Sequence, residues 1–431
     1  MESIWDLTTN RPAFESLKGE LKTDVLIIGG GIAGLLCGYM LQSTGVDCAV
    51  VEANKICGGI THNTTAKVTI QHGLIYDKVI SKYGKENAQL YFRAQSEALE
   101  KYRRMSLEID CDFEECDSFV YSLESREKIE RELAALNEIG CPAEFVEKTK
   151  LPFNTKGAAC VRNQAQFNPL KFIDSIAKNL KIYENTRVLK VSPGGIITEH
   201  GKIKAEKVIV ATHFPFLNKH GGYFLKMYQH RSYVVALKNA PPLNGMYVDE
   251  SMKGMSLRNY NGLLLLGGGS HRTGKKGGNW RELSRFAKKY YPQSKEVCRW
   301  ATQDCMTLDG IPYIGRYSKN TPSLYVATGF NKWGMTSAMV SAMILTDMLQ
   351  GKENVYSKVF SPERSILHPQ LAVNVAESFM GLITPTTPRC PHMGCALKYN
   401  PYEHSWDCSC HGSRFTKEGK VIDNPANNDK K

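Results

Sequence analysis

Residues 24–52 constrain the architecture more than any other stretch of the chain. Asp24-Val-Leu-Ile-Ile28 is an apolar run of strand length that leads directly into Gly29-Gly30-Gly31-Ile32-Ala33-Gly34. A helical pattern follows, with Leu35, Leu36, Tyr39, Met40 and Leu41, and Gly45 ends it. Asp47-Cys-Ala-Val-Val51 reads as a second strand, closed by Glu52. This strand–turn–helix–strand order, with an acid at its end, builds a doubly wound sheet around a nucleotide. Gly29 allows the tight turn, Gly31 lets a pyrophosphate approach the backbone, and Gly34 lets the helix pack closely on the strand. The pyrophosphate would sit at the helix N-terminus, where free N–H groups and the dipole favour negative charge. Glu52 would accept hydrogen bonds from ribose hydroxyls. Its carboxylate repels a 2′-phosphate, which leaves FAD or NAD.

The second constraint lies near the C-terminus. Cys390-Pro391-His392-Met393-Gly394-Cys395 and Cys408-Ser409-Cys410-His411-Gly412-Ser413 are two short boxes, with fifteen residues between His392 and Cys408. That interval suits a hairpin carrying one loop at each tip. One Cys-x-His and one Cys-x-x-His supply two thiolates and two imidazoles. The set fits a structural zinc or a [2Fe–2S] cluster with two histidines on one iron. Cys395, Cys410 and Gly412-Ser413 are unexplained under zinc and expected under the cluster. On these boxes the segment resembles the Rieske ferredoxin family. The resemblance implies Cys390, His392, Cys408 and His411 as ligands, and a Cys395–Cys410 disulfide clamping the loops. Ser409 stands where Rieske boxes usually carry Pro, and Phe415 where high-potential members carry a Tyr that donates to a ligand sulfur. With Ser413 as the remaining donor, the expected potential falls in the lower half of the Rieske range. So short a unit buries little core, so its stability is expected to come from the cluster and the bridge, independently of the rest of the chain.

Three further segments separate FAD from NAD. They are Gly58-Gly59-Ile60-Thr61-His62-Asn63-Thr64-Thr65, Asp309-Gly310-Ile311-Pro312-Tyr313-Ile314-Gly315, and Leu324 through Gly329 and Gly334-Met335-Thr336, which opens a long helix. Together they look like the D-amino-acid oxidase/glycine oxidase superfamily over about residues 1–352. The whole chain is similar to bacterial FAD-dependent oxidoreductases that carry a C-terminal Rieske module. The resemblance implies an α/β fold with a discontinuous Rossmann-like FAD-binding domain at about 1–85, 150–215 and 300–352. An antiparallel-sheet substrate domain would occupy about 86–149 and 216–299, a connector 353–380, and a small all-β Rieske module 381–431. FAD contacts are implied at Gly29, Gly31, Gly34, Glu52, Thr61 and Thr65, at the backbone of Val188, and at Ala211, Gly315, Gly329, Gly334 and Thr336. The free amides of the Gly334 turn would face the flavin's pyrimidine edge.

Composition narrows the setting. No apolar run approaches the roughly 20 residues of a membrane helix. The segment Met1 to Lys22 lacks the form of a secretion signal, so the expected location is cytoplasmic. The formal charge is +12, but Lys and Arg are spread along the chain. That pattern favours a solvated surface or an acidic redox partner over nucleic acid. Four of the thirteen cysteines lie in the last 42 residues, and the other nine read as buried small hydrophobes or free thiols.

Catalytic candidates are fewer. Lys67 follows the flavin loop where relatives carry a basic residue. Ser270-His271-Arg272 follows a strand, with His271 as a candidate base and Arg272 as a bidentate carboxylate binder. Arg231, Tyr233 and Trp333 are weaker candidates. The expectation is an FAD oxidoreductase that oxidises a small molecule, with an amine or amino acid as the candidate class. Electrons would pass through the Rieske cluster to a one-electron partner. The competing readings are reversed electron flow, a redox sensor without turnover, and a flavoprotein acting on RNA.

Overall fold

The computed structural model describes residues 2–385 and 388–430. Its first layer is an eight-stranded sheet. Gly19–Ile28 lies at the centre, paired in parallel with Gly201–Val210 on one side and Cys48–Val51 on the other. Leu324–Thr328 and Tyr313–Arg316 extend one side and Ile182–Tyr183 the other. Val25 to Ile28 are all buried, without alternation, because helices cover both faces of a parallel strand. The helix Ile32–Ser43 packs against the helix Gly334–Leu349, and both are buried over most of their length. A Cβ at Gly34 would collide with the carbonyl of Gly29, so only glycine allows the helix to start this close to its strand.

The second layer is a nine-stranded, mostly antiparallel sheet in the order Lys295–Thr307, Met227–Lys238, Leu263–Arg272, Ser256–Tyr260, Met246–Asp249, Glu114–Tyr121, Ala158–Gln166 and Lys67–Val68, with Glu144–Val146 off this path. Its membership differs from the expected boundaries. Ala158–Gln166 pairs with Glu114–Tyr121, and Lys295–Thr307 runs unbroken through position 300 against Met227–Lys238. Long registered ladders place these strands, and no local signal at 150 or 300 marks where the chain changes sheet.

Residues 397–423 form a four-stranded antiparallel meander, Leu397–Asn400, Ser405–Cys408, Arg414–Thr416 and Val421–Asp423. The helix Pro369–Ile383 crosses the expected 380/381 boundary and packs on this unit: a Cβ at Gly381 would overlap the Cys410 sulfur. No helix among the described residues is long and apolar enough to cross a membrane. Seven of the nine scattered cysteines are buried, as their hydrophobic reading requires.

Candidate cofactor and substrate site

A cavity of about 1540 Å³ is lined from both large sheets and from the C-terminal meander. Gly29, Gly31, Glu52, Thr61, Thr65, Val188, Ala211, Gly329 and Gly334 all line it. A Cβ at Gly31 would enter open space, with Thr61 Oγ1 its nearest neighbour at 3.5 Å. Gly31 caps the helix Ile32–Ser43 without a side-chain hydrogen bond, and Thr61 Oγ1 accepts from the Ile32 amide at 3.1 Å. The remaining first-turn amides have no partner within the helix. Glu52 accepts from the amides of Gly30 at 2.8 Å and Asn54 at 2.9 Å. Burial raises its carboxyl, and those two amides and Arg187 oppose the rise. An open glycine cradle, an uncapped helix start and a buried acceptor on the next strand fit the pyrophosphate and ribose of FAD.

Two expected contacts lie elsewhere. Gly315 has φ +142°, and its Cβ position faces Pro362 Cδ at 3.1 Å, so glycine is required there by the backbone and a packed proline. Thr336 is buried behind the cavity wall, where its hydroxyl donates to Thr69 O at 3.3 Å and lies 3.1 Å from His72 Nε2. Gly34 serves packing, as its position in the motif requires.

Lys67 is buried on the cavity wall and donates from Nζ to Ser256 Oγ at 2.6 Å and Thr65 Oγ1 at 3.0 Å. Burial, reinforced by the Arg258 charge, brings its ammonium down to about 7. The other two catalytic candidates are placed differently. His271 is not among the lining residues; its Nδ1 lies 3.1 Å from Gly269 O and its ring stacks on Tyr233. Arg272 lines the cavity, but three of its five N–H donors are engaged: Nε donates to Ser409 O at 3.0 Å, Nη2 to Cys410 O at 3.0 Å and Nη1 to Asn374 Oδ1 at 2.9 Å. Through those bonds it holds the second cysteine box. Arg231 is likewise committed to Glu403.

Much of the polar face of the cavity comes from residues not singled out in the sequence, namely His230, Ser232, Asp304 and Lys332. His230 pairs across strands with Asp304 on one side and Arg272 on the other. Lys332 Nζ reaches from the opposite wall to Ser270 Oγ at 2.6 Å and Ser232 Oγ at 3.3 Å. His230 Nδ1 is buried without a partner, and burial, then the charges of Lys332 and Arg272, takes its imidazole down to about 3. Burial raises the Asp304 carboxyl and lowers the Lys332 ammonium. The signal was present: Tyr228 to Ser232 is polar on both faces of its strand, whereas Val234 to Leu237 is apolar. A core strand with two polar faces has a cavity or a docked partner on one of them.

The two cysteine boxes form matching loops. Cys390 N donates to Cys395 O and Gly394 N to Cys390 O, each at 2.8 Å; Cys408 N donates to Ser413 O at 2.9 Å and Gly412 N to Cys408 O at 3.0 Å. Cys390 and Cys408 are buried, and the His392 and His411 rings lie 5.0 Å apart at 85°. His392 Nδ1 and both nitrogens of His411 are buried without partners. Burial takes these imidazoles down to about 4 and about 3, leaving them neutral and available as donors. Two buried thiols and two neighbouring neutral imidazoles with unpartnered nitrogens, carried on matching loops, fit the ligand set of a [2Fe–2S] cluster. Ser413 is buried in the second loop, and its Oγ accepts from the Ala426 amide at 3.0 Å. The implied Cys395–Cys410 bridge is not formed in this structure. Both are free thiols, grouped with Cys408 so that the three sulfurs lie within 4.8 Å of one another.

This unit does not stand apart from the rest of the chain. Gln229 Nε2 donates to His411 O at 2.8 Å, and Gln303 Nε2 to Gly412 O at 2.9 Å. Glu403 is held by Arg231, by Tyr233 at 3.1 Å and by Arg414 at 2.9 Å. Burial pushes the Glu403 carboxyl up, and Arg231 and Arg414 more than offset that, taking it down to about 2. The expectation of a self-sufficient module is therefore corrected. Residues of the nine-stranded sheet hold it in place.

Fold and site together define a flavin oxidoreductase with an appended iron–sulfur domain. A family model for FAD dependent oxidoreductases matches residues 24–348, and one for the Rieske [2Fe-2S] domain matches residues 358–430. The chain belongs to the FAD-dependent oxidoreductase family, and its cofactors are FAD and a [2Fe–2S] cluster. It is 33% identical to the putative Rieske 2Fe-2S iron-sulfur protein YhfW of Bacillus subtilis (strain 168), over 99% of this chain and 96% of that protein. It is 24% identical to gamma-glutamylputrescine oxidoreductase of Escherichia coli (strain K12), over 81% of this chain and 89% of that protein. The fold matches glycine oxidase from Geobacillus kaustophilus with a TM-score of 0.67 at 19% identity, covering 80% of this chain and 99% of that one.

Proposed function

We propose that the protein oxidises a small amine or amino acid at FAD and delivers the electrons, through the Rieske cluster, to an external one-electron acceptor. The observation that carries this reading is the segment 211–214. Ala211, Thr212 and His213 line the FAD cavity, and the next residue, Phe214, lies edge-on to the His411 ring at 6.4 Å between centroids. When bound, FAD would take two electrons from the substrate and the cluster would carry them away singly. In this reading Gly31, Thr61 and Glu52 hold the pyrophosphate and ribose, and Cys390, His392, Cys408 and His411 hold the cluster. The row His230, Ser232, Ser270, Asp304 and Lys332 orients the substrate. Lys67, brought down to about 7, can accept a proton from a substrate ammonium near neutral pH.

The outward face supports an external acceptor. Met393, beside His392, is 39% exposed, and the neighbouring helix Pro369–Ile383 turns Phe379 and Met380 to solvent. Rapid anaerobic mixing with a panel of amines and amino acids tests the proposal. At least one should bleach the flavin, and the reduced-cluster EPR signal should then appear without an added mediator. A flavin that bleaches while the cluster stays oxidised would refute internal transfer. A flavin unmoved by the whole panel would refute the substrate class. Substrate-driven bleaching should quicken as pH rises through about 7, and Lys67→Met should remove that dependence.

A further inference from the structure

We propose that the Rieske module is itself part of the FAD site, with the segment Asp423–Asn427 forming the outer wall of the nucleotide pocket and contributing directly to FAD affinity. Asp423, Asn424, Ala426 and Asn427 line the same cavity as Gly31 and Glu52. Asn427 Nδ2 donates to Val188 O at 2.9 Å, and Arg187 Nη1 donates to Asn427 Oδ1 at 3.5 Å. Arg187 is also the cation that acts on Glu52, the ribose acceptor. Asn424 Nδ2 donates to Phe214 O at 2.7 Å and to Thr212 O, and Asn424 O accepts from Gln229 at 2.9 Å. Two asparagine amides thus tie the module's tail to both strand ends that border the nucleotide.

The same segment reaches the cluster. The Ala426 amide donates to Ser413 Oγ at 3.0 Å, in the second cysteine box. Four of the five residues 423–427 therefore border the FAD cavity, and Ala426 also holds the second cysteine box. By linkage, whatever factor cluster loading adds to FAD affinity, FAD adds to cluster affinity. The glycine motif remains the phosphate cradle; the tail supplies enclosure and fixes Arg187.

The test uses the full-length, cluster-loaded protein after removal of flavin, titrated with FAD by loss of flavin fluorescence. Asn427→Ala should weaken FAD binding about tenfold, the effect of one or two lost hydrogen bonds at a pocket wall. A chain ending at Ala426 should lose at least as much. The EPR spectrum of the dithionite-reduced cluster should stay that of wild type in Asn427→Ala, whose side chain hydrogen-bonds Val188 and Arg187 and not the cluster loops. In the reciprocal arm, flavin-free wild type should yield its iron to a chelator faster than the FAD-bound protein. Wild-type FAD affinity in both variants would overturn the proposal, as would iron release indifferent to FAD. Neither arm involves substrate turnover, so their outcome is separate from that of the amine-oxidation reading.

Discussion

The two cluster loops are near copies in backbone hydrogen bonding, yet their surroundings are opposite. In the first, Pro391, Met393 and Gly394 are exposed, and His392 reaches the body through one contact, Nε2 to Asn218 Oδ1 at 2.9 Å. In the second, every residue from Cys408 to Ser413 is buried, and Gln229, Gln303 and Arg272 bind its backbone. An iron–sulfur centre that serves only an external partner has no need to bury one of its loops in its own chain. The asymmetry places the second loop against the nine-stranded sheet and leaves the first exposed.

The largest effect should come from the ligands themselves. His392→Ala and His411→Ala should each abolish the Rieske EPR signal and lower iron content. Both should loosen FAD through loss of the cluster, and His411→Ala should loosen it more, because its loop and the FAD wall share Gln229. Equal FAD retention in both variants would break the comparison. Next is Glu403→Gln, which leaves Arg231 and Arg414 buried without their shared counter-ion. A loss of ~3–5 kcal/mol is expected in denaturant unfolding. The native pair has a pH signature. Glu403 is held at about 2 against an ordinary 4.5, so its stabilisation is complete above 4.5 and is lost as pH falls toward 2. Acid unfolding followed by cluster absorbance should show a loss across that window that Glu403→Gln lacks.

Two glycines give a sharper contrast. Gly394 and Gly412 have φ of +77° and +86°. Alanine at 394 would meet only Leu382 Cδ2 at 3.9 Å, so backbone strain alone should cost ~1–2 kcal/mol. Alanine at 412 would also meet Gln229 Cβ at 2.6 Å. The combined cost should reach ~3 kcal/mol, with partial undocking. Thermal unfolding of the two variants side by side checks the ranking. The smallest effect is electronic. Phe415 is fully buried in a core with Cys390 and Cys408. Phe415→Tyr would add a donor, and a bond of ~1–2 kcal/mol to a ligand sulfur raises a one-electron potential by on the order of 40–90 mV. Spectroelectrochemical titration measures it. A lowered or unchanged potential would mean that the new hydroxyl does not reach the cluster.

Local chemistry made much of the site legible. Gly29, Gly31, Gly34 and Glu52 stand within one strand–helix–strand unit, and each box fits one loop, so neighbours in sequence are neighbours in space. What failed to read locally were side chains whose partners lie far along the chain. Arg272, at a strand end, and Arg231, within a strand, read as site candidates because a basic residue on a strand carries no sign of what it faces. Their acceptors, at 403, 409 and 410, come from a different sheet. Gly315 and Thr336 sit within matching motifs but were turned away by the packing of Pro362 and His72.

By itself the sequence determined both cofactors and the parallel sheet, because a glycine turn, a helix start and a paired Cys/His box are short-range devices whose geometry the chain carries with it. Only the tertiary structure decided which strands share the second sheet, which polar residues face the cavity, and that the C-terminal tail walls the nucleotide pocket. Those outcomes rest on strand register and on buried ion pairs and amide hydrogen bonds between segments distant in the chain, where many pairings are locally equivalent and only the assembled core selects one.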